Sequence, residues 1–278
     1  SQLITTINDV LINKAIEFAF AIMAEKNQFK PDVSFSWISL GSEGREEQLL
    51  RTDQDNAIIF EDVDPAQLNY TRDYFVLLAR QVNDILHQAG FDYCPANMMA
   101  GNPDWCLSIT EWKKRFSDWI HSPDKGALLF STIFFDYRYI SGEPELVESL
   151  NRFLINKVKS EKIFLNFLAK NATQNPVPLS FFKNLIVERS GTHKEEFDLK
   201  ARALMPLTDI ARLLCLEAGN LTTKNTIERY LFLAEQDESR KALYLQAAQA
   251  YEFLMHFRAT EGFKNKDSGR FIPIKQIS

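Results

Sequence analysis

The sequence predicts an α+β protein in which a small mixed sheet with helices is followed by a helical bundle. Two observations support this prediction. Before about residue 142, short apolar segments that suit strands alternate with longer segments of helical periodicity. After that point, helical segments follow one another and no strand of comparable strength is evident. We therefore expect two domains, residues 1–142 and residues 143–278, and the length of 278 residues agrees with that number.

The first domain is expected to begin with a helix and two strands. Residues 6–27 carry apolar side chains at helical spacing. Residues 33–40 alternate apolar and polar side chains, as a half-buried strand does, and residues 56–61 are expected to form the next strand. A second long helix is expected between Asp64, a suitable N-cap before a proline, and Gly90, a suitable C-terminal stop.

The remaining elements are predicted from composition and from turn residues. A short strand is expected at 91–94, and a helix is expected to start at Asn102. Residues 129–140 are rich in aromatic and β-branched side chains, which predicts another strand. The second domain is expected to contain helices at about 143–170, 197–218, 223–235 and 237–258, and a loose polar tail after Gly262.

Three tryptophans, Trp105, Trp112 and Trp119, recur every seven residues in the helix expected from Asn102. This spacing places them on one helical face. Core packing against the sheet is the favoured interpretation of this stripe. A platform on which a base could stack is the alternative.

The most informative motif is Gly41-Ser42 followed, after ten residues, by Asp53-Gln54-Asp55 at the head of a predicted strand. Residues i and i+2 of a strand point to the same face, so the two carboxylates are aimed at one point in space. Two carboxylates this close repel each other unless a cation lies between them. Mg²⁺ prefers oxygen ligands and is typically held by one or two carboxylates together with phosphates. The Gly-Ser turn can bring backbone N–H groups and a hydroxyl close to phosphate oxygens.

Residues 41–57 read Gly-Ser-Glu-Gly-Arg-Glu-Glu-Gln-Leu-Leu-Arg-Thr-Asp-Gln-Asp-Asn-Ala. This string resembles a bacterial family of nucleotidyltransferases related to PII-protein uridylyltransferases. The resemblance implies a polymerase-β-like nucleotidyltransferase domain followed by a helical substrate-binding domain. Members of this family are often attached to CBS and cyclic-nucleotide-binding domains. The chain begins with a serine, which leaves open whether it is part of a longer protein fused to such domains.

A third carboxylate is usual in this superfamily, and the candidate is Asp136. It lies between apolar and aromatic neighbours in the predicted strand at 129–140, where an unpaired carboxylate is costly to bury. An ion pair of Asp136 with Arg138 on one strand face is the alternative, and the two interpretations can coexist. By resemblance, Asp136 completes a metal-binding triad with Asp53 and Asp55, and Arg138 approaches a phosphate or orients Asp136.

Other polar residues are candidates for nucleotide binding. Arg45 lies beside the Gly-Ser turn, and arginine is suited to bidentate phosphate contacts. Ser42 is expected to hydrogen-bond a phosphate, and its alternative role is the N-cap of a short helix. In the helical half, Lys200 lies close to Asp198 and Arg202 in a segment that resembles the family's substrate-binding domain. We expect Lys200 to meet a phosphate across a cleft, whereas a surface helix start is the alternative.

Composition excludes some classes of function. The net charge is −5, which disfavours general nucleic-acid binding because proteins that grip phosphates normally present a basic surface. No apolar run approaches the ~18 residues that a membrane helix needs, and no signal peptide is evident. Cys94, Cys106 and Cys215 lack the spacing of a zinc knuckle or a disulfide framework, so we expect buried thiols in a cytoplasmic protein.

Together these features predict a metal-dependent nucleotidyltransferase that moves NMP from an NTP to an acceptor hydroxyl. Two Mg²⁺ ions are expected, with Mn²⁺ as a substitute, because paired metals stabilise the attacking and leaving oxygens of an in-line displacement. The resemblance implies UTP or ATP as donor, a regulatory protein as acceptor and a role in signal transduction. The alternative function is a nucleotide-binding regulatory module without catalysis.

Overall fold

The structure of the chain is a computed structural model that describes residues 2–28, 30–49, 53–173, 187–188 and 190–273. The chain forms two compact units, Ser1–Ser160 and Glu161–Ser278. The first is an α+β unit and the second is mainly helical, as the sequence predicts. The compact first unit includes the helix at residues 144–160, whereas the predicted domain boundary lies before it. This helix packs on three strands of the sheet and on the helix at residues 109–121.

The first unit is built on a four-stranded sheet in the order β5-β3-β1-β6. Strand β1 is antiparallel to both β3 and β6, whereas β3 is parallel to β5. Two short strands, β2 and β4, form a separate parallel pair. The strands are β1 Phe35–Ser39, β2 Asp53–Gln54, β3 Asn56–Phe60, β4 Asp92–Tyr93, β5 Cys106–Ser108 and β6 Arg138–Gly142, and the helices are α1 Gln2–Glu25, α2 Gly41–Gly44, α3 Pro65–Gln88, α4 Ile109–His121, α5 Lys125–Phe134 and α6 Pro144–Ser160.

Helices α1 and α3 cover the sheet and close its main apolar core. Their buried side chains pack with Trp37, Ile58 and Phe60, which lie fully buried on β1 and β3. The sequence signals for α3 are confirmed, since Pro65 is its first residue and Gly90 follows its end with a φ of +104°. The strands that carry the site residues are therefore held between layers of helix.

The predicted strand at residues 129–140 is wrong. Helix α5 extends to Phe134, and β6 begins only at Arg138. The carboxylate of Asp124 caps α5 by accepting a hydrogen bond from the backbone N–H of Ala127 at 2.7 Å. The strand propensity of this segment is overridden, because a helix buries side chains that recur at helical spacing. These are Ala127, Leu128, Ser131 and Phe134.

The helix predicted from Asn102 also needs correction. Asn102 caps only a single 3₁₀ turn, Pro103–Trp105, and β5 follows this turn. Helix α4 begins after Ser108, whose hydroxyl forms a capping box with Glu111. Trp105 therefore lies outside α4, although its ring stacks on that of Trp112 at 6.4 Å between centroids.

The second unit is helical with one small antiparallel ribbon. Strands β7 and β8 pair with each other, so the predicted loose tail after Gly262 is wrong for the described residues: the last helix continues to Asn265 and β8 follows. Within the described residues, no helix has the length and apolar character that a membrane span requires. The elements are α7 Lys162–Ala172, β7 Glu196–Asp198, a π-helical segment Lys200–Leu204, α8 Met205–Glu217, α9 Thr226–Gln236, α10 Lys241–Asn265 and β8 Phe271–Pro273.

Candidate active site

Three strands bring the predicted site residues to one end of the sheet. Ser39, the last residue of β1, pairs with Asn56 of β3 on one side and with Arg138 of β6 on the other. Asp55 directly precedes β3, and its carbonyl oxygen accepts a hydrogen bond from the N–H of Leu40 at 2.8 Å. Since α2 begins directly after Leu40, the Gly-Ser turn, Asp55 and the start of β6 meet at this end.

The turn between β1 and α2 lies against the carboxylate of Asp55. Gly41 has a φ of +56°, which favours glycine, and a Cβ at this position would lie 3.4 Å from Asp55 Oδ2. The predicted short helix is confirmed as α2, but Ser42 is its second residue and Leu40 is the N-cap, so the N-cap interpretation of Ser42 is wrong. The Gly41-Ser42 turn thus lies beside the carboxylate of Asp55.

Asp53 and Asp55 converge as the strand pattern predicts, and a third side chain joins them. Strand β2 pairs with β4 in parallel, with Gln54 opposite Tyr93, so the next residues, Asp55 and Cys94, are neighbours. One ligand atom each from Asp53, Asp55 and Cys94 lies within 4.8 Å of the others, in an arrangement that can hold a metal ion. Burial together with the charge of Asp55 raises the pKa of the Cys94 thiol to about 11.

Sequence reasoning missed the position of Cys94 beside the two aspartates, because it treated the cysteine as a buried thiol only. Cys94 is indeed buried. The residue lies far along the chain from Asp55, and no local spacing signals the contact. Only the pairing of β2 with β4 reveals it.

The residues that alternate with the two aspartates face the protein interior. Gln54 and Asn56 are almost fully buried and form hydrogen bonds with Asn83 of α3. The alternation of Asp53 and Asp55 with two amide residues therefore indicates that Gln54 and Asn56 are buried on the opposite side. Sequence reasoning did not use this signal.

Asp136 lies in the turn between α5 and β6, not within a strand, and is fully buried. Its Oδ2 forms an ion pair with Nη1 of Arg45 at 2.7 Å, and Nε of Arg45 also contacts Glu47 at 2.6 Å. Arg138 forms a bidentate pair with Asp9 of α1, at 2.9 and 2.8 Å. The predicted Asp136–Arg138 ion pair is therefore replaced by these two pairs.

Helix α2 packs directly on the turn that carries Asp136. A Cβ at Gly44 would lie 1.7 Å from the backbone oxygen of Asp136 and 2.9 Å from that of Ser39. No side chain fits at this position without movement of the backbone. Glycine at position 44 thus allows α2 to approach the backbone of Asp136 closely.

Glu43 is a buried carboxyl group behind the Gly-Ser turn. Burial raises its pKa from 4.5 to about 8, and the negative charges of Asp55 and Asp9 add to this effect. The nearby hydroxyl of Ser39 and the positive charge of Arg138 lower the pKa, but they do not cancel the effect of burial. Glu43 is therefore protonated at neutral pH in the folded protein.

In the second unit, the polar cluster around Lys200 is engaged by local partners. Asp198 forms an ion pair with Arg270 at 2.7 Å, and Arg202 forms one with Glu188 at 2.7 Å. Lys200 opens the π-helical segment and is half-buried. A contact of Lys200 with phosphate stays a prediction.

The tryptophan stripe forms part of a buried aromatic cluster. Trp112 is fully buried, and its indole N–H donates a hydrogen bond to the carbonyl of Ile58 at 2.9 Å. The ring of Phe134 lies 4.5 Å from that of Trp105 and 5.4 Å from those of Trp112 and Trp119, measured between centroids. The rings of Trp105 and Trp112 lie 6.4 Å apart. This arrangement supports the core-packing interpretation of the stripe.

Comparison with known families decides the class of the protein. The family model described as "Putative nucleotidyltransferase DUF294" matches residues 1–126, and the model described as "Putative nucleotidyltransferase substrate binding domain" matches residues 162–276. The chain belongs to the DUF294 family. The first match contains the Gly-Ser turn and the Asp53–Asp55 strand, and the second begins one residue after the start of the second compact unit.

Membership of the DUF294 family confirms the resemblance drawn from residues 41–57 and supports a nucleotidyltransferase-type activity. No curated protein matches the chain.

Proposed function

We propose that this DUF294 protein transfers NMP from an NTP to an acceptor hydroxyl with the help of divalent cations held by Asp53 and Asp55. The convergence of these two carboxylates beside the Gly41-Ser42 turn is the observation that carries the proposal. Two half-buried carboxylates at such short range favour a bound cation over mutual repulsion.

The two carboxylates fit Mg²⁺ or Mn²⁺, because they supply hard oxygen ligands. The thiol of Cys94, whose pKa is raised to about 11, stays protonated and is not counted as a ligand of such an ion. When bound, such ions stabilise negative charge on the transferring phosphate and polarise the attacking hydroxyl. The protein's own contribution is to orient the triphosphate against the Gly41-Ser42 turn, whose N–H groups and hydroxyl suit phosphate oxygens.

Arg45 and Asp136 have coupled roles in this proposal. In this proposal Arg45 moves from Asp136 to a phosphate oxygen, and Asp136 acts as the third carboxylate of the predicted triad. The position of Asp136 supports its role, because it lies two residues before Arg138 at the same end of the sheet as Asp55. Arg138 orients this turn through its pair with Asp9 on α1.

The substrate-binding match of the second unit supports a role for Lys200 in binding the triphosphate. A hydroxyl on a regulatory protein is the proposed acceptor, with UTP or ATP as donor, by analogy with PII uridylylation. The proposed setting is signal transduction in the cytoplasm.

One observation favours the alternative of a nucleotide-binding module without catalysis. The Arg45–Asp136 ion pair occupies the third carboxylate, and both of its side chains are largely buried. If this pair persists with nucleotide bound, Asp136 supplies no ligand and the site binds NTP without turnover.

The test is incubation of the protein with each α-phosphate-labelled NTP, Mg²⁺ or Mn²⁺ and a cell lysate, with labelled protein and released pyrophosphate as readouts. Asp53→Asn and Asp55→Asn should each lower transfer about a thousandfold, since metal stabilisation of the transition state is worth several kcal/mol. Asp73→Asn, which removes an exposed carboxylate on α3, is the control and should retain activity.

Two outcomes contradict the proposal. Undiminished transfer by a folded Asp53→Asn or Asp55→Asn variant would exclude these carboxylates as metal ligands. Binding of NTP by the unaltered protein without any release of pyrophosphate would favour the module without catalysis.

A further inference from the structure

The segment Asp53–Asn56, which runs from β2 into β3 and carries the two aspartates, has a second, buried side. Asp53 and Asp55 are half-buried, whereas the alternating residues Gln54 and Asn56 are 1 % and 2 % exposed. Adjacent residues of a strand point to opposite sides. The side chains of Gln54 and Asn56 therefore anchor this segment from the side opposite the two carboxylates.

Asn83 of α3 is the residue that holds this buried face. Its side-chain NH₂ donates to Gln54 Oε1 at 2.9 Å and to Asn56 Oδ1 at 3.2 Å. In return, the side-chain NH₂ of Gln54 donates to the backbone carbonyl oxygen of Asn83 at 3.0 Å. Asn83 is 4 % exposed, so water does not substitute readily for these bonds.

The same asparagine also fixes the loop that follows Cys94. The N–H of Gly101 donates to Asn83 Oδ1 at 3.3 Å, and the N–H of Ala100 donates to Asn56 Oδ1 at 2.8 Å. The approach is close, because a Cβ at Gly101 would lie 3.0 Å from Asn83 Oδ1. The side chain of Asn83 thus connects α3 with the segment that carries Asp53 and Asp55 and with the loop at Gly101.

The chemistry of this position requires an amide. The two side-chain oxygens that Asn83 contacts, on Gln54 and Asn56, accept hydrogen bonds, whereas Gly101 donates one. Only a group with an NH₂ donor and a carbonyl acceptor serves all three partners. An apolar residue of similar volume would leave buried polar atoms without partners, and such networks lose much of their rigidity when partly satisfied.

We propose that Asn83 is a positioning residue that sets the geometry of the Asp53–Asp55 metal site through Gln54 and Asn56. The inference deepens the proposed function and rests on it for the identity of the site as a metal centre. In this proposal Asn83 acts only through these two side chains and is not itself a metal ligand. Partners that orient metal ligands typically affect metal affinity 10- to 100-fold, and we expect Asn83 to act in that range.

The experiment compares Asn83→Leu with Val82→Ala. Val82 is the preceding residue on α3 and is fully buried in the apolar core, so its truncation destabilises the same helix without touching the amide network. Mn²⁺ affinity, measured from the electron paramagnetic resonance of free Mn²⁺, is the primary readout because it needs no turnover. Thermal unfolding reports the stability of each variant, and Asn83→Ser is the replacement if Asn83→Leu does not fold.

The expected result is a fall in Mn²⁺ affinity of about tenfold or more for the Asn83 variant and a change of less than about twofold for Val82→Ala. Unchanged affinity in a folded Asn83 variant, or equal losses in both variants, would overturn the inference. If the unaltered protein binds Mn²⁺ but transfers no NMP, the proposed function fails and the inference is still decided by affinity. If the unaltered protein binds no Mn²⁺, both are overturned.

Discussion

Replacement of Glu43 by glutamine should abolish a specific pH dependence of stability. Burial raises the pKa of Glu43 from 4.5 to about 8 in the folded protein, whereas the unfolded chain exposes this carboxyl to water. Between these two pH values the unfolded chain loses the proton and the folded protein keeps it. The contribution of Glu43 to the free energy of unfolding is therefore fully present below about pH 4.5, falls as the pH rises to about 8, and is constant above that.

The size of this effect follows from the two pKa values. Each pH unit over which only the unfolded chain is ionised costs about 1.4 kcal/mol, so the range from 4.5 to about 8 corresponds to about 5 kcal/mol. Glutamine has nearly the same shape as protonated glutamate but does not ionise. Glu43→Gln should match the unaltered protein at pH 4.5 and exceed its free energy of unfolding by about 5 kcal/mol above pH 8.

The assay is urea unfolding at several pH values from 4.5 to 8.5, in EDTA so that no cation alters the charge near Asp55. The difference in free energy of unfolding between Glu43→Gln and the unaltered protein cancels the titration of other groups. Glu25→Gln, which removes an exposed carboxylate on α1, controls for the loss of one negative charge. Parallel pH profiles for Glu43→Gln and the unaltered protein would refute the assignment of a buried, protonated Glu43.

Two further predictions concern the turn and the second unit. Gly44→Ala should displace α2 and lower any transfer activity at least tenfold, because the added Cβ would lie 1.7 Å from the backbone oxygen of Asp136; a crystal structure with α2 and this turn unmoved would contradict it. Lys200→Ala should weaken NTP binding in titration calorimetry several-fold, whereas Lys241→Ala, at the exposed start of α10, should not. Identical affinities for the two lysine variants would remove Lys200 from the nucleotide site.

Much of the first unit could be predicted because its signals are local. Pro65 and Gly90 mark the ends of α3 through their own backbone preferences, alternation marks β1, and a short apolar run marks β3. The failure at residues 129–140 has a physical cause. Aromatic residues favour strands but also pack well in a buried helix, and here the capping bond of Asp124 and the packing of the aromatic cluster decided the element.

The sequence by itself determined the family of this protein and the convergence of Asp53 and Asp55. A two-residue period aims these carboxylates at one point whatever the rest of the chain does, and residues 41–57 carry the family's pattern without any long-range information. The tail beyond Gly262 shows the limit of local signals, since its polar composition gave no hint of the partner strand β7.

Only the tertiary structure decided which distant residues complete the site. Cys94 reaches Asp55 through the parallel pairing of β2 with β4, and Asn83 reaches the back of the same strand from α3. Arg45 becomes the partner of buried Asp136 because α2 packs against the turn between α5 and β6. Contacts of this kind arise from strand register and from the need to satisfy buried polar groups, and neither is encoded in the spacing of neighbouring residues.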